Sequence, residues 1–262
     1  SMAAQGLPPL QLIVIFTLGT FIMRSAGCVI NDFADRKVDG FVERTKERPL
    51  VTGAISSKQA LSLFFGLIIS AGLLLLLLNQ TTQLLAFGGL ALAIAYPFMK
   101  RWTHMPQVVL GAAFSWGIPM AWSAQGLAVP EESILMFFTS LLWIVAYDTL
   151  YAMVDRDDDL KVGIKSTAIL FGNLDKMMIG ILQALTLVGL YLLGLRLGYE
   201  HAYFVGLVVI AGFFIYQQWL IRDRQRMACF AAFRNNILVG ASLLAFTLSE
   251  LLLEKYFLAG SP

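Results

Sequence analysis

N-D-F-A-D-R-K-V-D, residues Asn31 to Asp39, closes an apolar run that begins near residue 9. Carboxylates at the end of so apolar a segment are costly unless they bind something, and the edge of a membrane is where such a run delivers them. A helix advances about 100° per residue, so a continuous helix through this stretch puts Asp32, Asp35 and Asp39 within one quadrant, with Asn31 at its border. Like charges crowded on one face repel, which makes a cation their natural companion. An all-oxygen donor set selects magnesium, manganese or calcium over zinc.

A second stretch answers the first. Residues Asp148 to Asp159 read D-T-L-Y-A-M-V-D-R-D-D-D, and Asp148, Asp155 and Asp159, spaced seven and then four apart, align on one helical face. Asp157 and Asp158 fall off that face and read as a solvated helix end. Acidic sites that hold magnesium through few protein ligands leave its other positions to water and substrate phosphates. Polar helix ends at a membrane surface would explain either stretch alone but not the pair.

The rest of the chain supplies the membrane. Hydrophobic residues make up 58% of the 262, charged residues only 14%, and the mean hydropathy is +0.74, values that suit a polytopic membrane protein and not a soluble domain. Eight runs approach the ~20 residues a bilayer-crossing helix needs: 9–31, 58–78, 82–99, 106–124, 132–153, 176–195, 201–221 and 232–254. The short alternating segments of a β-barrel are absent. The expectation is an all-α transmembrane bundle forming a single domain over residues 1–262. If the runs alternate in direction, every lysine and arginine except Arg24, Arg196 and Lys255 falls on one side, which the positive-inside rule makes cytoplasmic. Both acidic stretches lie on that side. The same alternation places Ser1 outside, although Ser1 to Gln11 carries no charge and Ser-Met is not a natural start. The expectation is a tag scar and an absent first helix.

Between the runs lie candidate anion binders. Arg44, Lys46 and Arg48 follow the first acidic stretch and serve either as cytoplasmic anchors or as diphosphate ligands, with Arg48 beside Pro49 preferred. Ser56 or Ser57 can cap the helix that begins near Lys58. In Y-P-F-M-K-R-W-T-H-M-P, from Tyr96 to Pro106, the two prolines punctuate helix ends, and Tyr96 and Trp102 suit an interfacial belt. Lys100 offers a point charge for a phosphate and Arg101 a fork for a planar carboxylate. Lys161 and Lys165 follow the second acidic stretch. The basic run I-R-D-R-Q-R, from Ile221 to Arg226, reads as a topology signal. The two histidines, His104 and His201, are expected on opposite sides and build no metal site. Cys28 and Cys229 lack metal or disulfide spacing and read as packing residues. No glycine-rich phosphate loop or nucleotide fingerprint occurs.

Taken together, N-D-x-x-D-x-x-x-D at Asn31 to Asp39, Y-x-x-x-K at Tyr96 to Lys100 and D-x-x-Y-A-x-x-D-x-x-x-D at Asp148 to Asp159 resemble the UbiA superfamily of intramembrane aromatic prenyltransferases. Within it, the stretches around Arg24 to Gly40, Tyr96 to Phe114 and Tyr151 to Gly172 are similar to the bacterial branch that prenylates 4-hydroxybenzoate in ubiquinone biosynthesis. The resemblance implies nine helices in a complete member, so that the first would be missing here, around a central cavity open to the cytoplasm in a bacterial inner membrane. It implies Mg2+ held by Asn31, Asp32, Asp35 and Asp39 on one side and by Asp148, Asp155 and Asp159 on the other, with Asp32 and Asp148 supporting. Polyprenyl diphosphate and 4-hydroxybenzoate would be the substrates. Asp35, Asp39, Asp155, Asp159 and Lys100 would carry catalysis. Arg36, Arg48, Lys165 and Tyr96 would bind substrate, Arg101 would hold the aromatic carboxylate, and Tyr151 would polarise substrate or close the cavity. Related acceptors such as naphthoates, tocopherol precursors, haem and glycerol phosphates stay open, as does a divalent-cation transporter. The transporter, however, needs ionisable groups deeper along a pathway.

Overall fold

The computed structural model describes residues 7–42 and 45–259, with side chains as far as residue 253. Among the described residues the regular structure is helical, with no strand. Seven long helices form the body: α1 (Leu10–Asp35), α3 (Ser57–Leu75), α4 (Gln80–Trp102), α7 (Glu131–Val162), α9 (Asp175–Arg196), α10 (His201–Leu220) and α11 (Arg226–Ala259). Four short helices connect them: α2 (Pro49–Thr52), α5 (Pro106–Ser115), α6 (Gly117–Ala124) and α8 (Thr167–Phe171). Among the described residues, seven segments are long and apolar enough to cross a membrane.

The fourth of the eight expected runs is the one that departs. Residues 106–124 form α5 and α6, separated at Trp116. Pro119 has no N–H to give the carbonyl of Ser115, so the helical ladder is interrupted where the break occurs. The Trp116 indole donates to the Leu85 carbonyl of α4 at 2.6 Å. It lies against Gly88 and Gly89, where an added Cβ would meet the ring at 2.6 and 2.8 Å. Small residues let helix backbones approach in a membrane, and here they admit an indole instead. Pro97, expected at a helix end, is instead buried inside α4, which continues to Trp102.

Local chemistry sets the other ends. Ser56 and Gln59 form a reciprocal capping box at the start of α3. The Asn79 side chain accepts from Thr82 N–H at the start of α4, at 2.9 Å. Gly163, at φ +73, ends α7 with its N–H on the Asp159 carbonyl.

Helix α7 is the hub. It packs against α5, α6, α8, α9 and α11, and α10 packs on both α9 and α11. Ile210 of α10, Leu193 of α9 and Val239 of α11 belong to one core, and Leu150, Ile179 and Cys229 to a second near the other end. Helices α1 and α3 form a smaller cluster around Ala26, Ile30 and Phe64. Cys28, unlike Cys229, is exposed on α1, so only Cys229 serves packing.

Candidate active site

Helices α1, α4 and α7 deliver the acidic and basic residues to one end of the bundle. Asp35 is the last residue of α1 and is only 1% exposed. One of its carboxylate oxygens accepts from Lys100 of α4, and the other, Oδ1, is buried with no hydrogen-bond partner. A buried carboxylate oxygen left without a partner is costly, which marks the place as one that a further cation would satisfy.

The single helical face expected from Asn31 to Asp39 ends early. After Asp35 the chain turns, with Val38 N–H on the Asp35 carbonyl at 2.7 Å, and Asp39 opens a 3-10 turn. Arg48, at the N-cap of α2, reassembles what the break separates: its guanidinium lies 2.8 Å from Asp32 and 2.9 Å from Asp39. Thr45 fixes the turn by donating to the Asp39 carbonyl at 2.9 Å. Pro49 at the first helical position presets the backbone that carries Arg48. Asn31 lies half-buried on α1 one turn before Asp35. Arg44 lies outside the described residues.

On α7 the expected alignment is present, since the helix runs unbroken through Asp148, Asp155 and Asp159. Trp143, Tyr147, Tyr151, Asp155 and Asp159 follow one another at four-residue steps, so a ridge of aromatic rings leads into the two acids. Tyr151 packs on Phe233 of α11 with ring centroids 4.7 Å apart, and Tyr147 lies 6.1 Å from the same ring. Tyr96 lies half-buried on α4, one turn before Lys100.

The remaining basic residues are distributed differently. Lys165 donates to the Trp102 carbonyl at 3.3 Å, and its backbone N–H to the Lys100 carbonyl at 3.0 Å, so the loop after α7 docks on the end of α4. Arg36 folds back on its own helix, donating to the Phe33 carbonyl and stacking 4.1 Å from the Phe33 ring. Arg101 is exposed and donates to the Ala34 carbonyl at 2.5 Å, tying α4 to the end of α1. Arg24 lies 5.4 Å from the Phe114 ring and borders a concavity of about 800 Å³ along α1, beside Thr20, Phe21 and Cys28.

Sequence reasoning missed a second layer of charge. Asp175, at 0% exposed, is gripped by Arg224 through bonds of 2.7 to 3.0 Å and approached by Arg156 at 3.3 Å. The bond to Asp175 raises the pKa of Arg224 further above its ordinary value. Arg226 lies 2.7 Å from Asp158 and 3.5 Å from Asp155. Asp158 is therefore an ion-paired residue, its side chain 12% exposed, and not part of a solvated helix end. The basic run Ile221 to Arg226, expected as a topology signal, forms a clamp, and what could have revealed it was a concentration of arginines beside concentrations of aspartates.

Among the described residues no three acidic, histidine or cysteine side chains converge as a ready-made metal cluster. Lys100 and Arg48 sit on motif carboxylates, and Arg226 approaches Asp155 at 3.5 Å. The arrangement suits a cation that takes one or two carboxylates and completes its shell with the oxygens of an anion.

The model of the UbiA prenyltransferase family matches residues 1–244. A protein named 4-hydroxybenzoate octaprenyltransferase from Aliivibrio fischeri is 59% identical over 239 residues, covering 91% of this chain and 84% of that one. One of the same name from Vibrio cholerae is 57% identical over 244 residues, covering 93% and 86%. Among solved structures, the apo structure of a UbiA homolog from Aeropyrum pernix superposes with a TM-score of 0.80 at 24% identity, covering 94% of each chain. A UbiA homolog from Archaeoglobus fulgidus, solved with GPP and Mg2+ bound, gives 0.67 at 20% identity, covering 92% of this chain and 89% of that one.

Proposed function

Because the chain belongs to the UbiA prenyltransferase family, a family of membrane enzymes, we propose that it transfers a polyprenyl group from polyprenyl diphosphate to 4-hydroxybenzoate, ortho to the hydroxyl, giving 3-polyprenyl-4-hydroxybenzoate and diphosphate for ubiquinone biosynthesis. We place it in the bacterial inner membrane with the site facing the cytoplasm. The observation that carries the reading is Asp35: a buried carboxylate with one oxygen on Lys100 and the other without a partner, at the end of the bundle where α7 brings Asp155 and Asp159.

The donor chemistry fits Mg2+. Every proposed ligand is an oxygen, and the buried Oδ1 of Asp35 has no hydrogen-bond partner, which a cation would supply. Asn31, Asp35 and Asp39, supported by Asp32, would hold one ion; Asp155 and Asp159, supported by Asp148, would hold a second. Bound there, the ions would neutralise the charge that grows on the diphosphate as it leaves.

The chain's own residues do the rest. Lys100 and Arg48 already stand among the motif carboxylates and would meet diphosphate oxygens; Lys165 and Arg36 border them. As the allylic C–O bond breaks, its electron pair goes to the diphosphate. The ring carbon ortho to the phenol hydroxyl then forms the new C–C bond, and loss of the proton on that carbon restores aromaticity. The aromatic ridge of Trp143, Tyr147 and Tyr151, with Phe233, would line the prenyl chain and exclude water that would otherwise turn the cation into an alcohol. Rings beside a developing cation also stabilise it.

For the acceptor carboxylate two arginines compete. Arg101 has the fork geometry and adjoins Lys100, but it is exposed and engaged with Ala34. Arg24, also exposed, lies deeper along α1, 5.4 Å from the Phe114 ring and beside the concavity, and that position supports it as the alternative grip.

The test is prenyl transfer from geranyl or a longer polyprenyl diphosphate to radiolabelled 4-hydroxybenzoate in reconstituted membranes, with Mg2+ and with chelator. Product that depends on Mg2+ is expected. Absence of product together with measurable divalent-ion flux would favour the transporter.

A further inference from the structure

Arg226 is the first residue of α11, and its position is not left to a flexible side chain alone. Two residues earlier Arg224 is locked on Asp175 and on the Asn173 carbonyl at 2.8 Å, and Lys176 donates to the Arg222 carbonyl at 2.8 Å. The connection between α10 and α11 is thus pinned to the start of α9. From this base the Arg226 guanidinium meets two carboxylates of α7 unequally: Asp158 Oδ2 at 2.7 Å and Asp155 Oδ1 at 3.5 Å. The first is a short charge-assisted bond, and the second is too long to be a good one. Asp158 lies off the face that carries Asp155 and Asp159 and has no role in the reading above. Yet it holds a cation that stands within reach of Asp155.

We propose that Asp158 is a positioning residue for the second acidic motif: it holds the Arg226 guanidinium off Asp155 and so sets how strongly Asp155 attracts a divalent cation. The inference rests on the reading of Asp155 as a magnesium ligand. A guanidinium and a metal ion compete for the same carboxylate oxygens, since both are drawn by one negative charge. The Asp158 carboxylate keeps Arg226 shared through its 2.7 Å bond. Without that carboxylate, a movement of less than an ångström, from 3.5 Å to ordinary bonding distance, brings Arg226 onto Asp155. Lys161 also pairs with Asp158, at 3.3 Å, from the side away from the motif.

The experiment measures Mn2+ binding by electron paramagnetic resonance on the purified full chain with geranyl S-thiolodiphosphate, for the parent, Asp158→Asn, Arg226→Gln and the double variant. All four are checked for a monodisperse elution profile. Asp158→Asn is expected to weaken Mn2+ binding about three- to fivefold, the size of a partly exposed ion-pair effect. Arg226→Gln is expected to bind at least as tightly as the parent, and adding Asp158→Asn to it is expected to cost little more. An equal loss from Asp158→Asn in both backgrounds, or no loss in either, would overturn the inference. A parent that binds no Mn2+ with the diphosphate present would overturn the functional reading, and the inference with it.

Discussion

Lys100 and Asp35 form a pair whose halves cannot be removed independently. The carboxylate is 1% exposed, and taking one partner from a buried ion pair costs about 3–5 kcal/mol because the other charge is left uncompensated. Lys100→Ala is therefore expected to lower both thermal stability and activity, activity by at least ~10²-fold if the lysine also meets the diphosphate. The double variant Lys100→Ala, Asp35→Asn removes both charges and should regain most of the stability with none of the activity. Melting followed by size-exclusion chromatography, beside prenyl-transfer assays, separates the two effects. A double variant as unstable as the single would show that the lysine stem, and not its charge, holds the site. The arginines divide along a second line. If Arg101 grips the acceptor carboxylate, Arg101→Ala raises KM for 4-hydroxybenzoate far more than for the diphosphate, whereas loss of its bond to Ala34 alone would disturb both. The same assay on Arg24→Ala decides between them, because the acceptor-selective rise should appear in only one variant.

At the scale of the element, spacing read along one helix proved robust and chain direction at helix ends did not. Asp148, Asp155 and Asp159 were legible because α7 is uninterrupted, so positions seven and four apart must share a face. Asp39 could not be placed by the same rule, since α1 stops at Asp35 and Arg48, nine residues further on from Asp39, recovers the grouping through space. The grip on Asp175 was invisible for a similar reason: its partners Arg156 and Arg224 come from within α7 and from the connection before α11, and no local pattern records that meeting. The break at Trp116 had a local cause in Pro119, yet its seat on Gly88 and Gly89 belongs to a neighbouring helix. That seat makes a prediction. Gly88→Val places a side chain where a Cβ alone would already lie 2.6 Å from the indole, so Trp116 must leave its bond to Leu85. A loss of about 1–3 kcal/mol is expected from overpacking. Trp116→Leu in the same chain should return part of it, measured as melting temperature in detergent.

Across the whole molecule, the ends of the bundle differ in chemistry. One end holds the acidic motifs, Lys100, Arg48 and the Arg224 and Arg226 clamps, while the other holds Glu131 and Glu132 on Arg196, and Glu250 accepting from the N–H groups of Glu200 and Tyr203 at the start of α10. Such an asymmetry orients a membrane protein, because lysine and arginine are retained on the cytoplasmic side. A cytoplasmic site also matches its proposed chemistry, since a charged diphosphate and a charged aromatic acid cross no bilayer to reach it. The orientation can be read with a membrane-impermeant maleimide on intact spheroplasts, in a chain whose exposed Cys28 is first changed to Ser. His201, whose side chain is 98% exposed, begins α10 at the end opposite the motifs, and Lys58 lies exposed at the start of α3 at the motif end. His201→Cys should label without permeabilisation and Lys58→Cys only after it. The reverse pattern would turn the protein over in the membrane and place both acidic motifs outside, where the proposed substrates and the arginine clamps would face the wrong compartment.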